Sequence, residues 1–213
     1  MLIKDRMTRN PICVTPETNI LDALDLMKRH RIRRLPVKEG TKLVGIITEL
    51  DLLKLSPSPA SSLSIWELKY LVAKMAVKEG MARDVITVGP EDTIEKAALL
   101  MRDNKIGGLP VMAGNELVGI ITETDIFDAF VDMLGIRRGG TRISLHVEDK
   151  PGAMAALSDV IRDLGFNIIS AVAFTPQDKK AQVVFRLEGN KLDGLLEQLK
   201  KVGAEVLHVE TNH

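Results

Sequence analysis

The chain has 213 residues, 45% of them hydrophobic, and its 29 lysines and arginines balance 29 aspartates and glutamates. Single domains usually hold about 100 to 150 residues, so this length suits two of them, and zero net charge excludes a global field drawing the protein to nucleic acid or an anionic membrane. The single cysteine, Cys13, excludes an intramolecular disulfide, and the four scattered histidines leave no zinc-ligand spacing.

The opening MLIKDRMTRN lacks the apolar run of a signal peptide, and no later stretch approaches the roughly 20 apolar residues that span a bilayer. A cytoplasmic protein with no membrane partner is expected. From Met7 the sequence repeats itself: set against Met81, it runs without a gap to Asp51 against Asp125, with about half the positions identical, a duplicated unit. Each copy reads as a short β run (12–14; 86–88), a turn at Pro16 or Pro90, and an amphipathic helix from about residue 19 or 93. Asp92 and Glu95 give the second helix a capping-box pattern. Two apolar strands follow (35–37 and 43–47, and their copies 109–111 and 117–121), then a short helix opening at Thr48 or Thr122. The unit is βαββα, and two such units can pack strand against strand.

Between the copies, Ser56-Pro57-Ser58-Pro59 is a break, and Ser64-Ile65-Trp66-Glu67 reads as a capped start of a bracing or dimer helix with Trp66 as packing anchor. After the second copy, the glycine-rich connector at 135–140 leads into a new domain. There, 142–147 alternates as a strand, Pro151 marks a first helical position and Gly165 ends that helix. Residues 166–174 and 181–187 read as paired strands, Asn190 as the cap of a second helix ending at Gly203, and 204–209 as a closing strand, the order βαββαβ. The fold class is therefore α+β, divided as 1–57 (first repeat), 58–76 (insert), 77–134 (second repeat), 135–141 (linker) and 142–213 (C-terminal domain).

The segment Gly45-Ile46-Ile47-Thr48-Glu49-Leu50-Asp51 carries the chemistry, with its copy ending in Thr122 and Asp125. A strand glycine lets a ligand or another backbone approach, and a helix start offers outward amides to phosphate. The threonine hydroxyl can donate to that phosphate, and the aspartate one turn on can accept both hydroxyls of a ribose. The competing reading is a capping box, with Thr as cap and Asp reaching back. Of the basic run Lys28-Arg29-His30-Arg31-Ile32-Arg33-Arg34, we read Lys28, Arg29 and Arg31 as a solvated helix end and Arg33 and Arg34 as forked phosphate contacts. Aromatic residues make up 3% of the chain, too few for stacking on nucleic acid.

On these residues both repeats resemble the CBS-domain family, whose pairs, Bateman modules with pseudo-two-fold symmetry, bind AMP, ATP, NAD-type or S-adenosyl ligands. The resemblance implies that Thr48 with Asp51 and Thr122 with Asp125 hold phosphate and ribose, and that the early strands, at Ile12, Cys13, Ile86 and Thr87, bracket the adenine. It implies pocket closure by Arg33, Arg34, Leu35 and Pro36 and by Gly108, Leu109 and Pro110. The C-terminal turn Glu148-Asp149-Lys150-Pro151-Gly152 with the later Gly165-Phe166-Asn167-Ile168 resembles the ferredoxin-like ACT domain. That family commonly dimerises and binds amino acids at positions that fall here on Asp149, Lys150, Gly152, Asn167 and Ile168; the competing reading gives Pro151, Gly152 and Asn167 a purely turn-shaping role.

Two CBS repeats followed by an ACT domain is the layout of the acetoin-utilisation B-type proteins. The resemblance implies a regulatory protein for acetoin or acetyl-CoA metabolism, with AMP, ADP, ATP or an S-adenosyl molecule as regulatory ligand and no catalytic cofactor or metal. A homodimer through both domain types and a target protein complete the expected partners. A catalytic protein and a ligand-free dimerisation scaffold are the alternatives.

Overall fold

The computed structural model describes residues 1–55, 74–175, 180–190 and 192–212, so the break and capped helix start expected at 56–67 lie outside the described residues. The chain divides into two compact units, Met1–Ile126 and Phe127–His213.

In the first unit each repeat forms an amphipathic helix, a β-hairpin and a second helix: α1 (Ile20–His30), β2 (Arg34–Glu39), β3 (Lys42–Thr48) and α2 (Glu49–Leu55), then α3 (Ile94–Asn104), β4 (Gly108–Ala113), β5 (Glu116–Thr122) and α4 (Glu123–Met133). The last of these continues into the second unit. Helix α1 buries Ile20, Ala23 and Met27, and α3 buries Ile94, Ala97 and Met101, the same stripe in both copies. Asn19 caps α1, accepting from the Leu21 amide. Thr93, not Asp92, caps α3 by accepting from the Lys96 amide. Asp92 instead closes the preceding turn by accepting from the Gly89 amide at 2.7 Å. The hydrogen bond from Lys96, with that from Gly89, holds its carboxyl below the usual range. The β runs expected at 12–14 and 86–88 shrink to single parallel bridges, Val14 with Val37 and Val88 with Val111. Pro16 and Pro90, with no amide N–H, stop the ladder there.

The two repeats exchange their leading segments. The short strand β1 (Thr8–Arg9) pairs with β5 of the second repeat, not with the first, and the Ile3 amide donates to the carbonyl of Asp92 at 2.9 Å. Its counterpart, 75–82, returns to the first repeat: the Val77 amide donates to Thr18, and Ala82 bridges Ile46. Ile3 and Val77 are fully buried in their exchanged positions, each burial contributing about 1.5–3 kcal/mol. Val77 and Met81 belong to the core of Val14, Ile20, Met27, Leu35 and Ile47. The surface pairs Lys4–Glu91 and Lys78–Glu17 repeat the same exchange at 2.8 and 2.7 Å.

In the second unit β6 (Gly140–Glu148), β7 (Ile168–Phe174), β8 (Lys180–Leu187) and β9 (Glu205–Asn212) form an antiparallel sheet in the order β7-β8-β6-β9. Helices α5 (Ala153–Asp163) and α6 (Leu195–Lys201) supply Leu157, Ile161, Leu195 and Leu199 to a core with Ile143, Leu145, Val183, Phe185 and Leu187. The βαββαβ order expected from the sequence is present; the helix starts differ. Gly152 and Gly194, both at positive φ, stand at the N-caps where Pro151 and Asn190 were expected to mark the helix starts. Each helix opens out of a left-handed turn, which only glycine adopts without cost.

Candidate ligand-binding sites

Hairpin β2–β3 ends at Thr48, and α2 begins at the next residue; β5 ends at Thr122 in the same way. Thr48 and Asp51 close a full capping box, the Asp51 amide donating back to Thr48 Oγ1 at 3.2 Å, and Thr122 and Asp125 repeat the half in which the aspartate accepts from the threonine. The Thr48 amide and Oγ1 donate to Asp51 Oδ2 at 3.0 and 2.6 Å, and the Thr122 pair donates to Asp125 Oδ2 at 2.8 Å each. The capping reading therefore holds, yet both motifs also face cavities. Each aspartate meets its own helix through Oδ2, and Oδ1 makes no hydrogen bond among the described residues.

The first cavity, of ≈ 330 Å³, joins Thr122, Thr124, Ile120 and Asp125 of the second repeat to Thr8, Asn10, Pro11, Ile12, Arg31, Ile32, Arg33, Arg34 and Pro36. The second, of ≈ 630 Å³, joins Thr48, Asp51, Ile46, Glu49 and Leu50 of the first repeat to Asp84, Ile86, Lys105, Ile106, Gly107, Gly108 and Pro110, with Arg33, Arg34 and Glu123. Each cavity thus takes its Thr–Asp helix start from one repeat and its early strand and basic loop from the other. No motif within a single repeat carries that signal, because the pairing arises from packing between repeats.

The remaining predicted positions lie elsewhere. Leu35 and Leu109 are fully buried, because alternation along a strand turns them to the core when Pro36 and Pro110 face the cavities. Cys13 and Thr87 line neither cavity; the Cys13 thiol donates to the Pro11 carbonyl at 3.2 Å, and burial pushes it above its ordinary pKa. Arg31, read from sequence as a solvated helix end, lines the first cavity. It ends α1 in the left-handed conformation (φ 54°), as Lys105 ends α3, and this turn aims both cations at the cavities.

Arg34 crosses between the repeats. Its Nη1 donates to the Gly107 carbonyl, and its guanidinium occupies the space that a side chain on Gly107 or Gly108 would need. Repeat one has Arg33-Arg34 where repeat two has Gly107-Gly108, so one copy's arginine fills the room left by the other's glycine. Burial and the neighbouring Arg33 lower the Arg34 pKa, opposed by Glu123 and Asp125. An arginine nevertheless stays protonated near neutrality. The glycines Gly45 and Gly119 serve the chain rather than a ligand. A Cβ there would lie 2.7 Å from Met81 Sδ and 2.5 Å from Met7 Sδ, so they admit the exchanged leading segments.

Residues 3–58 and 74–132 match the CBS domain, and residues 139–210 match the TTHA0829-like ACT domain. The chain belongs to the CBS-domain family. Its CBS pair is similar to a protein assigned to acetoin utilization (AcuB) from Vibrio cholerae, 32% identical over 65% of this chain and 96% of that one, with a TM-score of 0.53. It is also similar to CBSX2, solved in complex with AMP, at 31% identity over 64% of this chain and 98% of that one (TM-score 0.51). The CBS pair of protein MJ0100, solved with 5-methylthioadenosine and S-adenosyl-L-methionine, is 31% identical over 61% of this chain and 95% of that one (TM-score 0.50). The chain spans less than half the length of two curated relatives that it matches: 47% of protein MJ1225 of Methanocaldococcus jannaschii and 30% of an inosine-5'-monophosphate dehydrogenase of Korarchaeum cryptofilum.

In the ACT-like domain Asp149 Oδ2 accepts from Thr175 Oγ1 at 3.0 Å, Lys150 pairs with Glu148 at 2.7 Å, and Asn167 Nδ2 donates to Glu188 at 3.0 Å. Gly152 faces open space at the start of α5, and Ile168 begins β7 half-buried.

Proposed function

We propose that this protein is a regulatory sensor whose CBS pair binds an adenine nucleotide or a related adenosyl ligand between its two repeats. One observation carries the reading: each Thr–Asp helix start faces the opposite repeat's early strand and basic loop across a cavity, with one carboxylate oxygen left for a sugar diol. The complexes of CBSX2 and of the MJ0100 pair support the ligand class.

Charge divides the two cavities. The first gathers Arg31, Arg33 and Arg34 around Asp125 and suits a phosphate-bearing ligand. The second sets Arg33, Arg34 and Lys105 against Glu49, Asp51, Asp84 and Glu123, and suits an adenosyl ligand with little or no phosphate. Binding would favour one arrangement of the repeats and so bias a target contact, by no more than the difference in affinity between arrangements. Dimerisation and amino-acid sensing through the ACT-like domain, at Asp149, Lys150, Gly152, Asn167 and Ile168, complete the proposal. The likeness to the Vibrio cholerae protein supports a role in acetoin-related metabolism.

The test is mass spectrometry of small molecules released from gently purified protein, with calorimetric titration of AMP, ATP and S-adenosyl-L-methionine into wild type, Asp51→Asn and Asp125→Asn. Asparagine keeps an oxygen for the cap and removes the acceptor facing the diol. Losing a charged hydrogen bond costs about 1.5–3 kcal/mol, so Asp125→Asn should weaken AMP at least about tenfold and Asp51→Asn should weaken the second ligand alone. Flat titrations with all the ligands, or full affinity in both variants, would overturn the reading in favour of a ligand-free scaffold.

A further inference from the structure

Alternation along β6, β7 and β8 turns Arg142, Ser170, Val172, Val184 and Arg186 to the sheet face opposite α5 and α6. There Arg142 and Arg186 stand directly opposite one another in the β6–β8 register. Like charges so placed destabilise a sheet. Neither has a carboxylate partner among the described residues: Arg186 donates to the carbonyls of Leu134 and Gly139, and Arg142 to Ser144 Oγ. Glu210 is the register partner of Arg142 on β9, but among the described residues no ion pair joins the two. Arg186 is only 6% exposed, and a buried charge without a counter-charge is costly. Both line a cavity of ≈ 240 Å³ whose wall is otherwise largely apolar, formed by Ile136, Val172, Phe174 and Val184.

We propose that this cavity is a binding site for a small carboxylic acid with an apolar substituent, independent of the nucleotide sites. A carboxylate between the guanidiniums would relieve their repulsion and supply the missing counter-charge, and the aliphatic part would cover Val172, Val184 and Phe174. Arg142 spends only Nη1 on a hydrogen bond among the described residues and keeps its Nε–Nη2 edge for a planar pair of oxygens, while Arg186, with Nε and Nη1 engaged, keeps Nη2. The Ser170 hydroxyl is spent on the Leu134 carbonyl, so the apolar wall offers nothing to the further oxygens of a phosphate.

The experiment titrates sodium hexanoate, hexanamide and inorganic phosphate into the full chain, followed by calorimetry and by amide shifts of the C-terminal sheet. Hexanoate should bind saturably with shifts confined to the sheet face, whereas hexanamide and phosphate should not bind. Arg142→Gln should weaken hexanoate at least tenfold, and Val184→Phe, which fills the cavity, should abolish binding. Arg186→Gln is a poor probe because it also removes a cap from the Leu134 carbonyl. Thermal melts of both chosen variants within a few degrees of wild type would establish that they fold. Equal binding of acid and amide, preference for phosphate, full affinity in Arg142→Gln, or no hexanoate binding at millimolar concentration would overturn the proposal and leave the arginine pair a structural one.

Discussion

Asp51 and Asp125 each hold the start of their own helix through Oδ2 and also line a cavity, with Oδ1 making no hydrogen bond among the described residues. Capping and ligand binding, which looked like rivals in the sequence, are compatible because a carboxylate has two oxygens. Cys13 has a simpler chemistry. Burial disfavours its thiolate more strongly than Lys38 favours it, so its pKa rises. The thiolate is the nucleophile, and iodoacetamide should therefore label Cys13 more slowly at pH 8 than it labels an unstructured peptide cysteine, with the midpoint of the rate profile above about 8.5. The linked stability has a definite sign. A pKa raised in the fold contributes stability below the unfolded pKa of about 8.5 and loses it as pH climbs through the folded value. Labelling as fast as the peptide would show the thiol to be open to solvent.

At the scale of elements, β2 and β4 are near copies that differ where the repeats meet. Arg34 on β2 reaches the carbonyl of Gly107 and fills the space before Gly108 on β4. A larger residue at 108 meets that guanidinium, and overpacking of this kind costs about 1–3 kcal/mol. Gly108→Arg should thus destabilise by about that amount in urea unfolding. Because the repeats are pseudo-symmetric, adding Arg34→Gly should recover most of the loss, a coupling of at least about 1 kcal/mol in a double-mutant cycle. Additive losses would show that the arginine and glycine do not share one space. The left-handed ends of α1 and α3 illustrate a related point: Arg31 reads as a solvated cation until the turn at the helix end is seen, and Lys105 stands in the same turn of the second repeat, each lining a cavity.

Across the first unit, the exchanged leading segments make the repeats interdependent. Ile3 is fully buried against the second repeat although the sequence places it at the head of the first. Ile3→Ala should lower the unfolding free energy by about 2–5 kcal/mol, whereas a change within about 0.5 kcal/mol would show the segment to be a loose tail. The sequence by itself determined the duplication, the helix and hairpin of each copy, the βαββαβ order of the second unit and the Thr–Asp helix starts. All of these depend on local periodicity and on residues a few places apart. Tertiary structure alone decided which Thr–Asp pair faces which early strand, what a side chain at Gly45, Gly119 or Gly108 would meet, and that Leu35 and Leu109 turn away from the cavities. Those facts depend on contacts between segments far apart in the chain, and a periodic pattern states which face of an element is apolar without stating what will cover it.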